Sequence, residues 1–103
     1  MTLDHWLRER EPAPPARLAQ RIDEALGQRR AADATDAAVL CVDAAEQLLY
    51  ELLARDNAGR ECALDLLSVD ALVTYAMEAA AVDPDTFASR AHDAMHRLAA
   101  AAQ

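Results

Sequence analysis

The chain has 103 residues, enough for one domain with its own core, and its Ala-rich composition with only two Gly favours helix almost throughout. Eighteen acidic side chains against ten arginines, with no lysine, leave a formal net charge of -8. That charge repels a phosphate backbone, and no apolar run approaches the length of a membrane span, so neither nucleic acid nor membrane is expected as a partner.

In chain order, Thr2 is a competent cap for a short helix in which Leu3, Trp6, Leu7 and Arg10 recur at helical spacing. This opening is mixed rather than a basic then apolar leader, and the chain is expected to work in the cytoplasm. The tract Glu11-Pro12-Ala13-Pro14-Pro15 ends the helix as a stiff connector, because proline gives up its donor and disfavours helical geometry in the residue before it. Residues 1–15 therefore form a short helix and connector.

A second helix over 16–27 carries Leu18, Ile22, Ala25 and Leu26 on one face and stops at Gly27. Residues 28–34 lack periodicity and are expected to be a loop or frayed end. Thr35 and Asp36 are both suited to cap a third helix over 36–56, in which Ala38, Val42, Ala45, Leu49, Leu52 and Leu53 share a face. A fourth, over 60–82, has the stripe Cys62, Leu66, Val69, Val73, Met77 and Ala80, with a bend allowed at Ser68. The link Arg55 to Arg60 is too short for anything but a reversal, which makes an antiparallel hairpin of these two helices. Asp83 caps a last helix over 84–101, with Phe87, Ala91, Ala94, Met95 and Leu98 inward. The expected fold is all-α: a small up-down bundle of four main helices plus the short N-terminal one, a single domain over 1–103.

Two carboxylates fall on apolar faces. Glu46 lies among Val42, Leu49 and Leu53, and Asp70 among Leu66, Val73 and Met77. If the hairpin reverses at Ala58, residues whose numbers add to about 116 lie level, which pairs Glu46 with Asp70. Two facing carboxylates need a proton or a cation, the cation being Arg17 or Arg21, a metal, or a ligand group; if the hairpin instead rotates or breaks at Ser68, Asp70 faces solvent and merely favours a helix start. Tyr50, Thr74 and Tyr75 are the candidate polar neighbours of such a ligand site.

Other chemistry lacks its parts. His92 and His96 are spaced i and i+4 but point away from the helix's apolar stripe, and His5 is read as a plain surface residue. No Glu-x-x-His pair occurs, so no metal and no cofactor is assigned. Ser68 and Ser89 stand outside any nucleophile turn, and no glycine-rich loop can be drawn. Cys41 and Cys62 match no zinc or redox spacing and read as free thiols. No catalytic residue is assigned, and the chain is expected not to be an enzyme.

The expected function is association with a protein partner, foremost a second copy as a homodimer. The two central helices are apolar over wide arcs that short flanking helices cannot fully cover. Trp6, Leu40, Leu48, Leu64 and Leu72 are the candidate interface residues, although for Trp6 docking on the chain's own bundle is the first expectation and a partner the second. The runner-up is a small-molecule or metal-binding bundle built on Glu46 and Asp70. A third class, an acidic protein that masks a basic partner, rests on charge alone.

Overall fold

The computed structural model describes residues 1–55, 59–81 and 84–102, with the side chains at 60, 61, 84, 86, 87 and 90 excepted. It is an all-α bundle: α1 (Leu3–Arg8), α2 (Ala16–Leu26), α3 (Ala37–Ala54), α4 (Arg60–Ala80) and α5 (Pro84–Ala101). The expected reversal at Ala58, the Asp83 cap and the inward Phe87 lie outside the described residues.

Thr2 caps α1, its hydroxyl accepting from the His5 amide at 3.2 Å. Gly27 ends α2 at a φ of 55°, a left-handed conformation that glycine adopts without Cβ strain. The stretch expected to be loop or frayed helix is instead ordered into two 3₁₀ turns, Gly27–Ala31 and Ala34–Asp36. Its backbone has partners: the Leu3 amide donates to Ala32 at 2.8 Å, and the Ala34 amide to Met1 at 2.9 Å. This short antiparallel bridge ties the N-terminus beside the start of α3. Asp4 accepts from both Arg8 (3.1 Å) and Arg30 (2.9 Å), and Arg8 also donates to Asp23 (3.0 Å), which fastens α1 to α2 and the first turn.

Helices α3 and α4 form the centre. Arg55 meets Asp65 near the link, while Glu46 and Leu49 share a groove with Val69 and Val73 farther along, so the two run antiparallel in a register close to the expected one. α4 is one helix from Arg60 to Ala80. Ser68 does not break it, because its hydroxyl donates back to the Leu64 carbonyl at 2.9 Å.

The buried side of α4 differs from the expected stripe. Ser68, Leu72, Ala76 and Ala80 are buried together with Asp65, whereas Leu66, Val73 and Met77 are 52, 39 and 60 % exposed. On a helical wheel the true core face lies about 90° from the stripe of largest side chains. Small residues explain this. Ser68, Ala76 and Ala80 on α4 and Ala37, Cys41, Ala44 and Ala45 on α3 are buried within the bundle, where little side-chain bulk separates the backbones; Leu48 and Leu72 fill the space that remains. On this side Leu3 of α1 and Ile22 and Leu26 of α2 complete the core. The bulkier branched residues are left on the other side, where α5 covers them in part.

Candidate apolar docking face

That second side is where the structure leaves apolar chemistry unsatisfied. A groove of about 190 Å³ runs between α3, α4 and α5. Its walls are Val42, Ala45 and Leu49 from α3, Val69 and Val73 from α4, and Ala91, Ala94, Met95 and Leu98 from α5, with Glu46 the one charged residue among the described ones. Among the described residues α5 covers it incompletely, since two of its four lining residues are alanine. Ala94 is buried, but Met95 is 70 % exposed. Beside the groove, Leu66, Val73 and Met77 recur at i, i+7 and i+11 along α4, an exposed apolar row with Asp70 between its first two members. These apolar residues stand in a row on one helix rather than scattered singly.

Arg97 on α5 holds Glu46 on α3 through both carboxylate oxygens, Nε to Oε1 and Nη2 to Oε2, the latter at 2.5 Å. The bidentate guanidinium keeps the Glu46 carboxyl below its ordinary pKa, against the opposing effect of burial. Glu46 also borders a wide polar surface hollow with Arg29, Gln47 and Tyr50.

The expected carboxylate pair is therefore not formed. The rotation of α4 that buries Leu72 turns Asp70 out to solvent, while the partner of Glu46 is Arg97. Tyr50 stays with Glu46, but Thr74 is exposed beside Asp70, its hydroxyl donating to the Asp70 carbonyl at 2.9 Å. Tyr75 is half-buried against the core, and burial raises its phenol pKa.

The acid that does occupy the seam is Asp65. It is 4 % exposed and accepts from Arg21 of α2 at 2.6 Å and from Arg55 at 2.5 Å. Burial raises its pKa, and the two guanidiniums outweigh burial, so the carboxyl titrates below its usual value. The structural ion pair through Arg21 thus exists, but at Asp65. A signal was present in the sequence: Asp65, Ser68, Leu72 and Ala76 lie on one helical face, and most of that face is small rather than bulky.

The candidate interface residues divide. Leu48 and Leu72 are inside the monomer core and unavailable to a partner, because the small-residue seam of α3 and α4 closes over them. Trp6 and Leu40 are half-buried and pack on the chain's own core, with the Arg10 guanidinium 4.2 Å above the Trp6 ring. Leu64 is half-buried. The exposed large apolar residues among the described ones are instead Leu66, Leu67, Val73 and Met77 on α4 and Met95 on α5, with Leu53 near the end of α3 and Met1 at the N-terminus.

His92 and His96 are exposed, their rings edge to face at 5.2 Å. Among the described residues no three His, Cys, Asp or Glu side chains converge as a metal site requires. Burial pushes the Cys41 thiol up to about 12, which leaves it protonated and unreactive at neutral pH. Among the described residues no helix is long and apolar enough to cross a membrane. Neither a known sequence family, nor a curated protein, nor a solved structure matches this chain.

Proposed function

We propose that this protein is a non-catalytic helical association module whose working surface is the apolar face shared by α4 and α5. The observation that carries the reading is the row Leu66, Val73 and Met77, left open beside an apolar groove by a fold that buries smaller residues in their place. A monomer that served only as a scaffold would gain by turning this row inward. Exposed methionines at Met77 and Met95 suit such a surface, since an unbranched thioether adapts to the shape of its partner.

The cytoplasm is the compartment assigned with this role. Cys41 and Cys62 are both free, as thiols are under reducing conditions. The reading covers a homodimer and a different protein partner alike.

Sedimentation velocity at tens of micromolar separates those two forms. A dimer that Met77→Glu dissolves makes the chain its own partner, whereas a monomer leaves the face to another protein. Association of either kind that persists in both Val73→Glu and Met77→Glu contradicts the reading.

A further inference from the structure

The occupant of this face can be named by its chemistry, an inference that rests on the association reading above. The apolar ridge has a carboxylate in its middle: Asp70 lies four residues after Leu66 and three before Val73, so it emerges on the same face between them. Asp70 is exposed, and no arginine among the described side chains pairs with it.

The wider charge distribution has the same sign. Residues 37–103, which supply the whole face, hold eleven of the eighteen acids and four of the ten arginines, and so seven of the eight net negative charges. Arg55 and Arg97, the two of those arginines whose side chains are described, are already bound to Asp65 and Glu46. Within residues 37–103 the apolar ridge is thus set in a negative field, with both described arginines of that segment already paired. A second copy would bring a like field and a second Asp70 to the same surface. A helix with an apolar stripe and basic flanks answers both features at once.

We infer that the face receives a cationic amphipathic helix of another protein, laid along α4 with its apolar stripe against Leu66, Val73, Met77 and Met95 and a lysine or arginine against Asp70. The groove between α4 and α5 takes the largest apolar side chain of that helix.

The test titrates the full chain with a synthetic helical peptide of about five turns, leucine on one face and lysine on the other, and with a twin carrying glutamate for lysine. The leucine/lysine peptide is expected to bind saturably at one per chain, and the glutamate twin not to bind. Asp70→Asn is expected to weaken binding about fivefold and to flatten its salt dependence. Val73→Glu is expected to abolish binding, with Met77→Glu, at a more exposed position, as a second variant should the first lose its fold. Loss of binding in the glutamate variants with no effect of Asp70→Asn overturns the cationic partner and leaves the association reading standing. Equal binding by both glutamate variants and the native chain overturns both. A dimer that Met77→Glu dissolves and the peptide cannot displace makes a second copy the occupant, and the inference fails.

Discussion

Arg97 on α5 grips both carboxylate oxygens of Glu46 on α3, and this contact fixes the outermost helix at the edge of the apolar groove. Of the four described α5 residues that line the groove, two are alanine and Met95 is mostly in solvent, which leaves Leu98 as the large apolar contact among them. Its local stability therefore depends on this pair more than an ordinary surface ion pair would suggest.

Arg97→Gln is expected to speed amide hydrogen exchange along α5 while leaving α3 and the buried part of α4 protected. Exchange read by mass spectrometry checks this. Equal acceleration in all three helices would show that α5 unfolds only with the rest of the bundle.

The rotation of α4 is tested by two truncations on the same helix. Leu72 is fully buried, so Leu72→Ala is expected to cost about 2–5 kcal/mol. Leu66→Ala, at a site more than half exposed, is expected to cost below about 1 kcal/mol. Urea melts of the two variants compare them directly, and the opposite order would restore the stripe of bulky residues as the core.

Asp65 neutralises Arg21 and Arg55 inside the seam. Asp65→Asn keeps the shape but loses the charge-assisted bonds, an expected cost of about 2 kcal/mol, or roughly 10 °C in Tm for a domain of this size. Arg21 and Arg55 can both reach water, at 23 and 38 % side-chain exposure, which keeps the cost below that of stranding a buried charge. Calorimetry reads the shift.

Asp65 and Glu46 contribute to the response to acid, as does Asp4, whose carboxyl Arg30 likewise holds low. Asp65 and Glu46 both titrate lower in the folded chain than when unfolded, so the folded state binds fewer protons. The stability they contribute is complete above their unfolded values, about pH 4, and is lost as pH falls through their lower folded values. Thermal melts against pH are therefore expected to be flat near neutrality and to fall steeply in that acid range. In Asp65→Asn the fall becomes shallower. An unchanged slope would mean that other acids govern acid unfolding.

Helix number and most helix ends were legible in the sequence, because Thr2, the proline tract and Gly27 act locally through backbone geometry. The hairpin register was close as well, since it follows from equal rise along two antiparallel helices. The face that α4 buries was not legible. Ranking side chains by bulk selects Leu66, Val73 and Met77, but backbone approach is decided by what is small, and Ser68, Ala76 and Ala80 allow more of it. With that rotation the Glu46 and Asp70 pair disappears and the candidate interface moves from Leu48 and Leu72 to the opposite face. The 3₁₀ turns at 27–36 were missed because their partners, Met1 and Leu3, are distant in sequence.

The chain's three methionines offer the most direct measurement of the central claim, that association occurs on the α4 and α5 face. Met77 and Met95 stand on that face, and Met1 lies at the N-terminal bridge to residues 32–34. With ¹³C-methyl methionine and the leucine/lysine peptide as titrant, the Met77 and Met95 resonances are expected to move together and saturate while Met1 stays in place. Movement of Met1 alone, or no movement of Met77 and Met95 under titration and across a dilution series, contradicts the account.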